Sequence, residues 1–182
     1  MKTFITSDLH FGHKNIISFC PKTRHFRDLD HMHQHMIEKW NQQVSAEDTV
    51  YILGDVAFMP AADAVEILGQ LNGYKILIQG NHDYKLLKNQ HFRSCFTEIH
   101  QYLRIVHNNM TVVMFHYPIH FEWDQAHRGS IHCYGHVHGK VTGLEEYRAV
   151  DVGYDATGEV VMLLDDVVEQ AKQRKLPPRE FA

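Results

Sequence analysis

The chain has 182 residues, 44% of them hydrophobic and 22% charged, with a formal charge of -4. One domain spanning 1–182 with a substantial core is expected at this size, and the acidic balance excludes a broad face for long nucleic acid. No apolar run approaches the roughly 18 residues of a membrane span, and three cysteines without a Cys-x-x-Cys pair exclude a disulfide framework and a structural zinc finger.

Thr3-Phe4-Ile5-Thr6 reads as a strand almost at the first residue, so no signal peptide is expected and, with so few cysteines, the protein is expected in the cytoplasm. The run ends in Ser7-Asp8-Leu9-His10. Gly12 to Ile17 turns toward a short helix that Pro21 ends, and Lys22 to Asp28 is a polar loop carrying Arg24, His25 and Arg27. Met32, Met36, Trp40 and Val44 recur every four residues, with Ile37 beside them, and predict a helix from about Asp30, its N-cap, to Val44. Thr49 to Leu53 is a second strand, ending in Gly54-Asp55. Pro60 opens a helix with Ala64, Val65, Leu68 and Leu71 inward, and Asn72-Gly73 stops it. Ile76-Leu77-Ile78 is a third strand, ending in Gly80-Asn81-His82-Asp83. This βαβαβ order predicts a parallel or mixed sheet with covering helices.

From about Thr97 short strands with turns, Asn108-Asn109 among them, predict a second sheet packed on the first. Thr111 to Phe115 ends in His116, and Ser130 to Tyr134 ends in Gly135-His136-Val137-His138. Strands near Ala149–Val152 and Glu159–Leu164 follow, then a helix from Asp165 to Gln173. A loose tail is expected from about residue 175, Pro177-Pro178-Arg179-Glu180 included.

Five apolar runs thus deliver Asp, Asn or His at their C-terminal ends, where sites assemble in sheets fed by crossovers. The composition's anomaly points the same way: 16 histidines nearly match 18 Lys plus Arg. Asp8, His10, Asp55, Asn81, His116, His136 and His138 mix carboxylate, amide oxygen and imidazole, which suits Mn²⁺, Fe²⁺ or Zn²⁺ rather than Ca²⁺. Seven such groups are too many for one tetrahedral zinc and suit two ions sharing a bridge. Asp-x-His and His-x-His put both side chains of each pair on one side of an extended segment.

In this order the five motifs resemble those of the calcineurin-like metallophosphoesterases, over roughly residues 3 to 153. Asp8-Leu9-His10-Phe11-Gly12-His13 with Asn15-Ile16-Ile17 also resembles a small bacterial and phage branch of phosphoesterase-like proteins. The resemblance implies an α/β (α+β) fold, a four-layer α-β-β-α sandwich of two mixed sheets. It implies Asp8, His10 and His138 on one metal ion, Asn81, His116 and His136 on a second, Asp55 bridging them, and His82 as a catalytic residue that binds no metal. Two cations about 3.5–4 Å apart would ready a bridging hydroxide and clamp the phosphate, and His82 would protonate the leaving oxygen near neutral pH.

One departure narrows the expectation. Val56-Ala57-Phe58 after Asp55 replaces the Asp-Arg-Gly continuation of the Ser/Thr protein phosphatases, so their arginine clamp on a monoester is missing. A phosphodiesterase acting on small nucleotide-type substrates such as 2′,3′-cyclic phosphates is expected, with two divalent ions, manganese foremost and iron or zinc as alternatives. A phosphomonoesterase or nucleotidase is the runner-up, and a non-catalytic scaffold of the same fold the remote alternative. No oligomeric state is assigned.

His13, Arg24, Arg27 and Arg128 are candidates for holding substrate phosphate or ribose. Asp83 is expected to stiffen its turn rather than orient His82. His31, His33 and His35 read as a solvated helix surface, and His91, His100 and His107 as surface residues. His120, His127 and His132 are assigned to packing or surface rather than substrate. Tyr117 and Trp123 suit either base stacking or packing.

Overall fold

The computed structural model describes residues 1–178. Strands β1 (Thr3–Thr6), β2 (Thr49–Ile52), β3 (Tyr74–Ile78) and β4 (Glu98–His100) run parallel in one sheet, and a short β9 (Met162–Leu163) pairs antiparallel with β1. The second sheet takes β5 (Tyr102–His107), β6 (Met110–Phe115), β7 (Ile131–Tyr134) and β8 (Ala149–Asp151) in that order, antiparallel at β5–β6 and parallel thereafter. Both sheets are mixed, as expected. The change of pattern near Thr97 falls one strand early, because β4 extends the first sheet and the second begins at Tyr102. Asn108 and Asn109, with φ of 48° and 62°, form the β5–β6 turn, a conformation asparagine tolerates.

Alternation along the strands builds the layers. Ile5, Ile78, Val112, Met114, Ile131, Cys133 and Val150 fill the space between the sheets, while Phe4, Val50, Ile52 and Leu77 face outward under helices. Those helices are α2 (Leu29–Gln43) and α3 (Ala61–Gln70). Met32, Met36, Trp40 and Val44 form the expected stripe, all buried, each contributing on the order of 2 kcal/mol. The cap lies two residues earlier than expected: Asp28, not Asp30, accepts the His31 N–H at 2.8 Å. Helix α6 (Leu164–Lys172) buries Leu164, Val167, Val168 and Ala171 against the inter-sheet core.

The outer cover on the second sheet is irregular. It is made by residues 117–130 and 135–148, on either side of β7, helical only as a 3-10 turn at Ala126–Arg128, with Trp123, Ala126 and Leu144 packed on Val113, Tyr134 and Ala149. The four-layer order therefore holds, with turns and loops in place of a long helix in the fourth layer. The tail is tied at its start, contrary to expectation. The Lys175 N–H donates to Glu146 O at 2.8 Å, and Pro177 is buried; Arg179 and Glu180 lie outside the described residues. No helix among the described residues is long and apolar enough to cross a membrane.

Candidate functional site

Strand register brings the chemistry to one edge. Thr6 pairs with Ile52 and Ile52 with Leu77, so β1, β2 and β3 end together. The Asp8 N–H donates to Gly54 O at 3.0 Å, and His10 N–H to Asp55 O at 3.0 Å. From the second sheet, Gly135 N–H donates to His116 O at 3.0 Å, and the Ser7–Gly153 bridge joins the two sheet ends.

At this edge the backbone takes an uncommon form. Asp8, His10, Asp55, His136 and His138 all have positive φ, between 51° and 71°. Left-handed backbone is rare for residues with a Cβ and costs on the order of 1 kcal/mol each. It gathers at five of the seven expected ligands, and such strain clusters at active sites and ligand clamps in proteins generally. Close approach matters as well: a Cβ on Gly135 would collide with Ser7 Oγ and the Asp8 carboxylate.

All seven expected ligand residues lie together in two groups. In the first, His10 Nε2 is 3.7 Å from Asp8 Oδ1 and 3.8 Å from Asp55 Oδ2, and His138 Nε2 is 3.9 Å from Asp8 Oδ1. In the second, His116 Nε2 lies 3.6 Å from Asp55 Oδ1 and 2.9 Å from Asn81 Oδ1, and His136 completes the set with Asp55 and His116. Two donors each about 2.1 Å from one ion stand roughly 3–4.2 Å apart. Asp55 turns one oxygen toward each group. Asp8 Oδ1 and His10 Nε2 are buried without a hydrogen-bond partner, a state that normally has an explanation such as an ion. The donor set is compatible with divalent cations.

The imidazoles are aimed by their other nitrogens, as ligand histidines usually are. His116 Nδ1 donates to Leu53 O at 2.6 Å and His138 Nδ1 to Asp155 Oδ2 at 2.7 Å. For His10 Nε2 to present a lone pair, Nδ1 carries the proton and donates to His13 Nδ1 at 2.9 Å. Burial, then the neighbouring His10, holds the His13 imidazole neutral down to about 4. Burial lowers His10 and His136 too. At His138 burial opposes the charge, but Asp155 and Asp8 outweigh it and raise the pKa. Asp8 behaves alike: burial opposes ionisation, but His10, His116 and His138 hold its carboxyl below the usual range.

His82 stands at the mouth. Its ring is half-exposed, with Nε2 3.9 Å from Asp55 Oδ2, and the His82 backbone N–H donates to Asp55 Oδ1 at 3.0 Å. Asp83 is fully buried and accepts the N–H groups of Asp55, Val56 and Gly80. It stiffens the turn and makes no bond to His82. A cavity of about 780 Å³ opens from His10, His82 and His138 and includes His13.

The three arginines do not meet there. Arg24 is the clear correction. It is fully buried, ion-paired to Asp155 at 2.9 Å, and donates to Leu9 O and Asp8 O at 3.0 and 2.7 Å. It braces the Asp8-Leu9 backbone and has no group left for substrate. Arg27 faces solvent against Asp28 at 2.7 Å, and Arg128 is exposed on the outer cover of the second sheet; neither lines the cavity. Among the other histidines, His33 is half-buried and accepts the Gly12 N–H at 2.8 Å, so it holds a turn instead of forming open surface. His132 is buried between Trp123 and Tyr134 and accepts the Ile119 N–H at 3.0 Å. Trp123 is core, whereas Tyr117 packs on His136 and His116.

Two residues escaped the sequence reading. Asp155 aims His138 and neutralises Arg24; burial opposes its charge, but His138, Arg24 and Thr23 hold its pKa well below the carboxylate range. Phe58 stacks on His10 and His13 and lies 4.5 Å from His82, centroid to centroid. The cue for Phe58 was its place three residues after Asp55; Asp155 carried none.

Comparison with known proteins yields likeness without chemistry. No family model matches the chain. An uncharacterised protein of Methanocaldococcus jannaschii is 42% identical over 84 residues, 45% of this chain and 47% of that protein, so the match spans about half of that relative's length. The Gene 66 protein of Mycobacterium phage L5 is 28% identical over 188 residues, covering 87% of this chain and 89% of that one. Among solved structures, a protein of unknown function from Aquifex aeolicus superposes over 93% of this chain and 98% of its own at a TM-score of 0.73 and 23% identity, which shows the shared fold.

Proposed function

We propose that this chain is a metal-dependent phosphoric ester hydrolase, a phosphodiesterase acting on small nucleotide-type diesters, 2′,3′-cyclic phosphates among them, in a reducing cytoplasm. The observation that carries the reading is the pair of donor groups sharing Asp55, with Asp8 Oδ1 and His10 Nε2 of the first group buried and unpartnered. Asp8, His10 and His138 would hold one divalent ion, Asn81, His116 and His136 the other, with Asp55 common to both. Manganese fits this mixture of carboxylate, amide oxygen and imidazole, with iron or zinc as alternatives. When bound, such ions supply Lewis acidity and an activated water.

The chain's own residues supply the rest. Asp55 fixes both groups through one side chain, and its Oδ1 holds the His82 backbone N–H, which sets the ring at the cavity mouth. His82 donates a proton to the leaving oxygen as the ester bond breaks. Phe58 limits the angles the His82 ring can adopt. No arginine lines the cavity, so no bidentate guanidinium clamps the second charge of a monoester at the centre, and that supports a singly charged diester.

The test is turnover of bis-p-nitrophenyl phosphate beside p-nitrophenyl phosphate after manganese loading. Diester hydrolysis is expected to be faster, and His82→Ala to lower it by about 10²–10⁴-fold with both ions still bound by elemental analysis. Faster monoester turnover would overturn the diester preference. An inert wild-type protein holding two ions would leave a scaffold.

A further inference from the structure

Beyond the two donor groups, the cavity continues to a wall that the chemistry above does not use. Phe19, at the end of α1 (Ile16–Phe19), is 67% exposed beside this cavity. Its ring meets His13 edge-on at 5.9 Å between centroids and keeps the rest of its surface open to the cavity, where a base can stack. Lys22 and Lys140 line the same wall, both exposed, and neither ammonium has a carboxylate within salt-bridge distance among the described residues. The one carboxylate on the lining, Asp155, is already committed to Arg24 and His138.

The wall is also held in place. Thr23 Oγ1 donates to Asp155 Oδ1 at 2.6 Å, and Arg24 grips the same carboxylate, so the loop carrying Lys22 is pinned to the group that aims His138. The Lys140 backbone N–H donates to Val137 O at 3.0 Å, closing a tight turn that contains His138 and Gly139. Lys140 thus follows His138 by two residues, and Lys22 lies on a loop pinned to the carboxylate that aims His138.

Resting on the phosphoesterase reading, we propose that Phe19, Lys22 and Lys140 form a second subsite that takes a nucleobase and a phosphate other than the scissile one. The substrate class is then a linear nucleotide diester bearing an additional phosphate. A cyclic mononucleotide has a single anionic group, which the centre consumes, and gives the two lysines nothing to hold. A base stacks on Phe19 whatever its identity, since every base has a π-face, while ammonium groups recognise phosphate as point charges.

Two measurements test this. Binding is read by calorimetry on manganese-loaded His82→Ala protein, with adenosine 3′,5′-bisphosphate against adenosine 5′-monophosphate. The bisphosphate is expected to bind about tenfold tighter, and adding Lys22→Ala with Lys140→Ala to bring the two within about twofold. The Lys22→Arg, Lys140→Arg pair keeps the preference, and so does Lys172→Ala on the far helix. Equal affinities in the parent, or a tenfold preference that survives loss of both lysines, overturns the subsite. In turnover, a 5′-phosphorylated dinucleotide is expected to exceed its unphosphorylated counterpart in kcat/KM by a similar factor. Failure of the wild-type protein to cleave bis-p-nitrophenyl phosphate sinks the phosphoesterase reading alone, because the binding comparison still decides the subsite.

Discussion

Asp8, His10 and His138 are backed by side chains. Arg24 braces the Asp8 carbonyl, Asp155 aims His138, and His13 receives His10. His116 and His136 are backed by main chain, by the outer cover and, at the His136 backbone N–H, by Asp8 Oδ2 at 2.9 Å. His116 leans on Leu53 O, His136 on Tyr117, and the segment from Tyr117 to Ile119 on buried His132. The first half is therefore wired across the molecule through ionised groups, from residue 24 to residue 155, and substitution can dismantle it. The second half leans on the Leu53 carbonyl and on the packing of the cover, so loosening of the cover reaches it.

The largest expected effect removes the contrast altogether. Asp55→Asn withdraws one charge from both halves at once, and diester turnover should fall by about 10²–10³-fold with loss of paired metal occupancy by elemental analysis. Two ions retained in that variant would mean that Asp55 joins nothing. Next comes Asp155→Asn, which acts on the first half alone. Manganese titration should show one of two sites weakened about 10–100-fold. Because Arg24 is left buried beside a neutral amide, unfolding free energy should drop by roughly 3–5 kcal/mol. Equal weakening of both sites would erase the distinction between the halves.

The smallest effect lies under the second half. Burial, against hydrogen bonds to Val113 and Tyr117, holds His132 neutral down to about 4 in the folded chain, whereas an unfolded histidine titrates near 6.5. Its contribution is complete above about pH 6.5 and is lost as pH falls toward 4, on the order of 3 kcal/mol in all. Urea unfolding across that window should show a shallower dependence for His132→Gln than for the parent. An unchanged slope would remove His132 from the account.

What could be read in advance was whatever repeats or sits at a strand end. The four-residue stripe from Met32 to Val44 announces its helix, and the polar residues after each strand converge because parallel register obliges them to. Arg24 was misread because nothing in a polar loop signals that an arginine will be buried. Its partner Asp155 lies 131 residues away, beyond any local pattern. His132 shows the same limit within a strand: every residue of β7 is buried, so alternation gives no hint which imidazole is core and which approaches the site. The outer cover, built from turns without a period, was the least legible layer.

The left-handed backbone at Asp8, His10, Asp55, His136 and His138 has a consequence for anyone wishing to make this protein hardier. Glycine at any of those positions would relax the main chain and delete the donor in one stroke. Durability and chemistry are thus set against each other at the same five residues, and gains in thermal tolerance must come from elsewhere, such as the helix caps and the long loop over the second sheet.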